Sequence, residues 1–281
     1  MKILITGANG QLGRELANQY KEINSVELIL AGKLDLDISD VMAVHRFINA
    51  NKPDVIINCA ALTNVDKCET EIDTAYKINT IGPKNLATAA NEIGAEIVQV
   101  STDYVFSGEI NKSLTEFDEV NPQTAYGKSK LQGEILVKNL NHRHYIVRTA
   151  WLYGDGNNFV KTMINLSKTN TTLKVVNDQR GTPTSTVDLA RVIIKLLEDK
   201  NYGLFHCTCK GECTWYEFTK EIFRLKVITT EVLPCTSDEF KRPAKRPEYS
   251  VLRNYMLELT TGDITRSWQE AIEEYLMFGY L

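Results

Sequence analysis

Tyr126 and Lys130, in the stretch AYGKSKLQGE, are residues whose spacing can do chemistry. Four residues apart on a helix, they point to one side. A free tyrosine has a pKa of about 10, too high for acid–base work near neutrality. An adjacent ammonium favours the phenolate and lowers that value. The pair reads as a proton donor with its own tuning charge; the plainer alternative is an exposed helix face. A second concentration of chemistry lies in VSTDYVFSGE, residues 100–109, where an apolar run ends on two hydroxyls, a carboxyl, a phenol and a phenyl ring.

A third candidate is a binding turn. ITGANGQLG puts Gly7, Gly10 and Gly13 directly after the first apolar run. Gly7 permits a tight turn, Gly10 lets the backbone approach a pyrophosphate, and Gly13 allows a helix to pack closely on a strand. The free N–H groups of the following helix then face the phosphates. The spacing is Gly-x2-Gly-x2-Gly, not the commoner Gly-x-Gly-x2-Gly. An acid at the end of the second strand would hold the adenosine ribose. That place reads Ala31-Gly32-Lys33, and Lys33, or Arg14, can meet a 2′-phosphate. The reading therefore leans to NADPH, while Asp35 and Asp37 close behind leave NADH open.

The elements that must position these residues follow from periodicity. KILIT (2–6), VELIL (26–30), DVIIN (54–58), EIVQV (96–100) and HYIVR (144–148) read as strands, most apolar on both faces as buried parallel strands are. Between them GQLGRELANQY, DVMAVHRFINA, TAYKINTIGPKNLATAANEIG and GKSKLQGEILVKNL carry helical spacing. This alternation predicts an α/β fold: a doubly wound, Rossmann-type parallel sheet covered by helices. After residue 150 the rhythm weakens, with helices expected near 157–168, 186–199, 214–225 and 267–277 and short strands at 173–176, 203–208 and 231–234. The expected division is a dinucleotide-binding domain over 1–152, receiving part of 184–208, and a smaller, partly interleaved C-terminal substrate lobe over 153–281.

Bulk properties narrow the class. The chain has 281 residues, 43% hydrophobic, with a net charge of −4, which offers no footprint for nucleic acid or an anionic membrane. No apolar run approaches the roughly 20 residues of a membrane span. The start MKILITG runs from a strand into a turn, unlike a signal peptide, so a cytoplasmic protein is expected. The six cysteines are then expected as thiols. HCTCKGEC (206–213) lacks the paired Cys-x2-Cys spacing of zinc sites, so no metal ligands are assigned. His45, His142, His144 and His206 are read as structural.

Taken together, the glycine turn and Tyr126-x3-Lys130 resemble the extended short-chain dehydrogenase/reductases. DVIINCAALTNVD is similar to that family's third strand, and NTIGPKNL to its Asn-x2-Gly segment. STDYVFSG, YGKSK, VRTAWLYG and DQRGTPTS resemble, within that family, the dTDP-4-dehydrorhamnose reductases, over nearly the whole chain. The resemblance implies a catalytic trio of Thr102, Tyr126 and Lys130, with Ser101 the runner-up for the hydroxyl. It implies a cofactor lying along Asn9, Gln11 and Leu12 beside the three glycines, then Lys33, Asp37, Ile38, Ala60, Ala61 and Thr63, with Tyr126 and Lys130 at its reactive end. Asn79 is implied in the same cofactor-binding set, bracing the helix next to the site.

The same resemblance implies that Thr102, Asp103, Tyr104, Val105 and Phe106 meet a dTDP-sugar, that Trp151 packs on the sugar, and that Arg148 lies near the substrate lobe. Asp103 as a turn residue and Trp151 as core filler stay open. Arg180 can offer a fork to a diphosphate, or be a solvated loop residue. The Arg-Pro pairs at 242–247 resemble an element closing the pocket. Dehydratases of the family carry Thr-Asp-Glu; here Thr102-Asp103-Tyr104 lacks the glutamate, so carbonyl reduction fits better than elimination. The implied reaction is reduction of a 4-keto-6-deoxy sugar nucleotide by NADPH, in cell-surface polysaccharide synthesis. A 4-epimerase and a non-catalytic regulatory subunit on the same fold are the rivals. Monomer or homodimer, and Mg2+ use, stay open.

Overall fold

The computed structural model describes residues 1–23, 25–109 and 111–278. Five strands of the first half, β1 (Lys2–Thr6), β2 (Glu27–Ala31), β3 (Val55–Asn58), β4 (Glu96–Thr102) and β5 (His144–Thr149), form one sheet. The helices between them are α1 (Gln11–Lys21), α2 (Val41–Asn51), α3 (Val65–Thr70), α4 (Ile72–Tyr76), α5 (Gly82–Glu92) and α6 (Ala125–Leu140). Beyond them come β6 (Leu152–Tyr153), α7 (Phe159–Ser167), β7 (Thr172–Val176), β8 (Arg180–Gly181), β9 (Thr184–Ser185), α8 (Thr186–Asp199) and β10 (Gly203–His206). The last elements are β11 (Cys213–Thr214), α9 (Trp215–Leu225), β12 (Glu231–Cys235), α10 (Tyr255–Leu259) and α11 (Trp268–Met277).

The main sheet has six strands in the order β10-β5-β4-β3-β1-β2, every pair parallel. Strand order therefore reverses between β1 and β3, and the crevice outside the strand ends at such a reversal is where ligands bind. Alternation along β1 shows how the sheet is covered. Ile3 and Ile5 pack with Leu12 and Leu16 of α1 and Leu189, Ile193 and Leu196 of α8. Leu4 faces the other way, into Val44 and Ile48 of α2, Leu86 of α5 and Val137 of α6. At roughly 1.5–3 kcal/mol for each fully buried large aliphatic side chain, these two layers fix the strand ends to which the site residues are attached.

A separate apolar cluster holds the C-terminal elements together: Val160 of α7, Phe218 and Ile222 of α9, and Trp268, Ile272 and Tyr275 of α11. Capping boxes start α9 (Thr214 with Glu217) and α11 (Ser267 with Glu270), which fixes the residue at which each helix begins. The short pair β6–β9 and the return of α8 and β10 to the main sheet interleave the two parts.

The expected strands and helices correspond to observed ones, with one informative difference. The helical pattern 74–94 is broken: α4 passes into a π-helical segment, Lys77–Ile81, before α5 begins with Pro83 in its first turn. Asn79 explains the break. Its Oδ1 accepts from Leu62 N at 2.8 Å, and its Nδ2 donates to Leu62 O at 3.1 Å and Ser129 Oγ at 3.1 Å. One wide turn lets this side chain reach the loop after β3, and such turns recur at functional sites.

Gly13 leaves no room for a side chain where α1 packs on the glycine turn. A Cβ there would stand 2.5 Å from Gly7 O and 2.7 Å from Ala8 Cα, both backbone. Gly13→Ala is expected to lower stability by about 1–3 kcal/mol, read as a lower urea midpoint with unchanged slope.

Candidate active site

A single long cleft of about 1770 Å³ runs across the C-terminal ends of β1, β3, β4 and β5 and under the C-terminal lobe. Its first stretch is a backbone cradle. Gly7 holds φ at +64°, a conformation that disfavours a side chain, and a Cβ there would stand 2.6 Å from Ala60 N. Gly10 caps α1 without a side-chain hydrogen bond, and a Cβ on it would meet only Gly7 O, at 3.1 Å. The α1 N-terminus is thus presented to the cleft, flanked by Asn9, Gln11, Leu12 and Gly13. These residues fit a dinucleotide's pyrophosphate, which needs close approach of backbone N–H groups.

Lys33, Asp37, Ile38, Ala60, Ala61 and Thr63 line the continuation of this cradle. Lys33 is exposed at the rim. The Asp37 carboxyl sits below its usual value because Ser39 donates to Oδ1 from its hydroxyl at 2.7 Å and its N–H at 2.9 Å. Arg14 is engaged elsewhere: it forms an ion pair with Asp155 at 2.9 Å and donates to Asn9 O at 2.6 Å, which corrects its expected place at a 2′-phosphate. Asn79 lies behind the wall, bracing it as described above.

The reactive cluster forms where α6 closes on the end of β4. Thr124 caps α6, its hydroxyl accepting from Gly127 N at 3.0 Å, so Tyr126 falls in the first turn. Gly127 lies so close to Tyr104 O that any Cβ would collide with that carbonyl. Tyr126, Lys130 and Glu134 follow one another at four-residue intervals on the buried stripe. The Tyr126 hydroxyl bonds the Thr102 side chain. Thr102 Oγ1 in turn donates to Asp103 Oδ1 at 2.9 Å. Tyr104 meets Tyr126 edge-on, with ring centroids 5.5 Å apart. Lys130 Nζ donates to Val100 O at 2.6 Å.

Burial dominates the electrostatics here. The Lys130 ammonium is only 4% exposed, and its pKa falls to about 8 by desolvation, opposed by Glu134. The Tyr126 phenol is pushed above its ordinary value, also by burial, with its Thr102 bond pulling the other way. The expected lowering of Tyr126 by Lys130 is therefore corrected: desolvation is the larger effect. The phenol stays protonated at neutrality, which is the form a proton donor needs.

The substrate side departs further from expectation. Val105 and Phe106, expected at the sugar, are buried in a small core with Leu114 and Leu252. Apolar residues just past a strand end pack inward unless a turn exposes them. Arg180 is half-exposed and paired with Glu212 at 3.4 Å and Glu217 at 3.7 Å, and its backbone pairs with Tyr249, so its expected diphosphate role is not supported by its placement. Arg148, expected near the substrate lobe, is buried in an ion pair with Glu134 at 2.7 Å. Trp151 does line the cleft, in a left-handed backbone conformation (φ 47°), stacked on Trp215 with centroids 3.4 Å apart and 6° between planes.

Sequence reading missed Trp215 and Phe159, whose rings lie 4.4 Å apart on the lobe side of the cleft. The Arg-Pro segment, expected to close the pocket, lines the cleft through Arg242, Arg246 and Pro247. Arg246 pairs with Asp66 of α3 at 2.9 Å, Ala244 N donates to Asp66 Oδ1 at 3.2 Å, and Arg242 approaches the same carboxylate at 3.5 Å. These contacts draw the segment across the cleft. Arg246 Nη1 is buried there with no hydrogen-bond partner. Among the described residues no cluster of three or more His, Cys, Asp or Glu is placed to hold a metal ion, and no helix is long and apolar enough to cross a membrane.

Comparisons with known proteins place the chain in a family. The model of the family described as RmlD substrate binding domain matches residues 1–279. A solved structure of a dTDP-4-dehydrorhamnose reductase from Clostridium acetobutylicum is 68% identical, covers 100% of both chains and superposes with a TM-score of 0.99. A dTDP-4-dehydrorhamnose reductase from Bacillus anthracis, solved in complex with NADP, is 42% identical over 99% of each chain, with a TM-score of 0.96. The spore coat polysaccharide biosynthesis protein SpsK of Bacillus subtilis is 43% identical, over 98% of this chain and 96% of its own.

The Asp103 carboxyl provides a test of the site's dryness. It is 4% exposed and burial lifts its pKa from 3.8 to about 6, against the hydrogen bonds of Thr102 and Ser250. The native fold thus binds this proton more tightly than the unfolded chain. Its stabilising contribution is full below pH 3.8 and fades as pH rises to about 6. Asp103→Asn should gain stability relative to the parent across that window, by on the order of 2–3 kcal/mol, read by urea unfolding at stepped pH. A difference independent of pH would contradict it.

Proposed function

The chain belongs to the RmlD substrate binding domain family, which the dTDP-4-dehydrorhamnose reductases represent among its relatives, and on that footing we propose that it reduces the C4 carbonyl of dTDP-4-dehydro-L-rhamnose to dTDP-L-rhamnose with NADPH. The observation that carries the reading is the convergence of Thr102, Tyr126 and Lys130 at the end of the glycine cradle, in one cleft. A bound NADPH supplies the hydride. Everything else falls to the chain's own groups.

Tyr126 and Thr102 hold the carbonyl oxygen. Without substrate the Thr102 proton is directed to Asp103 and its oxygen meets Tyr126. A carbonyl oxygen entering between the two hydroxyls accepts from Tyr126, which then gives up its proton as the alkoxide forms. Lys130, one turn further on, keeps a positive charge beside that transfer and donates to the nicotinamide ribose. Asp103 and Ser250 receive sugar hydroxyls. The Trp151–Trp215 pair, and not Trp151 alone, forms the wall against the sugar. Arg246, with an unpartnered Nη1 in the cleft, takes the diphosphate role first read onto Arg180. NADPH use rests on Lys33 at the rim, supported by the NADP in the Bacillus anthracis relative. The likeness to SpsK supports a place in surface polysaccharide synthesis.

Two measurements check this. Tyr126→Phe removes the proton donor and is expected to lower kcat by about 10²–10⁴-fold while cofactor affinity, read by nicotinamide fluorescence, is retained; near-normal turnover would sink the assignment. Lys33→Ala loses a charge-assisted contact with the 2′-phosphate, worth about 1.5–3 kcal/mol. It should raise KM for NADPH about tenfold or more and leave KM for NADH nearly unchanged. Equal effects on both cofactors would mean that Lys33 does not read the phosphate.

A further inference from the structure

Glu134 is 4% exposed, and nothing in the reaction as described uses it. Its carboxylate is held from two strands. Arg148 of β5 grips it as a fork, Nε to Oε1 at 3.0 Å and Nη2 to Oε2 at 2.7 Å. Ser101 of β4, the residue before Thr102, donates its hydroxyl to Oε1. Such a fork fixes position as well as charge. On α6 Glu134 follows Lys130 by four residues, just as Lys130 follows Tyr126, so the fixed carboxylate lies on the same buried stripe.

We propose that Glu134 is a positioning residue for the reaction: clamped by Arg148 and Ser101, its carboxylate keeps Lys130 an ammonium in a site that excludes water, and so sets the alkaline limit of activity.

The groups around Lys130 leave this task to Glu134. On its own helix are the neutral Tyr126 phenol and Glu134. Just after β3 comes Cys59, whose thiol burial pushes up to about 12, so it carries no charge at neutrality. From β4 come the Val100 carbonyl and the Ser101 and Thr102 hydroxyls; the Asp103 carboxyl, in the turn after β4, is engaged by Thr102 and Ser250 instead of by Lys130. From β5 comes Arg148, a like charge standing behind Glu134. Desolvation favours the neutral amine, and Glu134 is the largest influence opposing it. Without Glu134 the lysine loses its counter-charge and also faces an uncompensated guanidinium. A neutral amine at that place gives no cation for the ribose and none beside the proton transfer.

A merely structural Glu134, present only to satisfy Arg148, is the alternative, and a paired variant separates the two. Glu134→Gln alone strands a buried guanidinium, so Glu134→Gln/Arg148→Met, which removes both charges and keeps the volume, carries the test. Two readouts are taken on the full-length protein. One is the titration of Lys130 itself, by the NMR shift of carbon-13-labelled lysine Cε, assigned with Lys130→Arg and followed free and with NADPH. The other is the alkaline limb of kcat. The expected result is that both midpoints fall by about one pH unit or more in the double variant, and that Glu134→Asp, which keeps the charge, restores most of the shift. A double variant that titrates as the parent does would overturn the proposal. The kcat arm rests on the reductase reading, whereas the NMR arm does not. A parent protein inactive on the dTDP-sugar would therefore leave the Lys130 titration able to decide.

Discussion

The site depends on the closure of α6 against the end of β4. One helix face carries a phenol, an ammonium and a carboxylate at successive turns, all buried. A helix with such a face would not pack on an apolar sheet unaided, since each charge withdrawn from water is destabilising unless paired. Each is paired by the strand ends: Lys130 by a β4 carbonyl, Glu134 by Ser101 and Arg148, Tyr126 by Thr102. The same contacts that let the helix dock also aim the phenol at the cleft. Folding and chemistry share one set of hydrogen bonds. Losing one partner of a buried pair of this kind costs about 3–5 kcal/mol, so the stripe has little freedom to drift.

The remaining parts arrange themselves around that closure. The reversal of strand order between β1 and β3 opens the crevice, and the glycine cradle places the α1 N-terminus at its far end. The π-helical step at Asn79 ties the wall after β3 to α6, through hydrogen bonds to Leu62 and Ser129. The C-terminal lobe contributes a different kind of surface: stacked aromatics and cations on the segment that Asp66 holds across the cleft. Rigid polar chemistry lies on the sheet side, and adaptable contact area on the lobe side. That division suits an enzyme whose reaction is common and whose substrate is particular.

The sheet was legible because buried parallel strands read as apolar runs between amphipathic helices. The glycine turn and the Tyr126–Lys130 spacing were legible because both are local. What was hidden depends on partners far along the chain. The broken helix at 77–81 arises from Asn79 reaching the loop after β3. Trp151 looked like a lone platform because Trp215 lies in another element. Arg180 reads as a free diphosphate fork in the sequence because its partners, Glu212 and Glu217, lie far along the chain. Val105 and Phe106 belonged to a chemically crowded stretch but turn into the core. The tuning of Tyr126 was misread for a physical reason: sequence shows a neighbouring charge, while burial, which outweighs it, is a property of the fold.

The most direct measurement is the fall of nicotinamide absorbance when dTDP-4-dehydro-L-rhamnose is added to the full-length protein with NADPH. The account predicts rapid oxidation of the cofactor, stoichiometric with dTDP-L-rhamnose formed. A protein that binds NADPH yet leaves it unoxidised with this sugar nucleotide would contradict it.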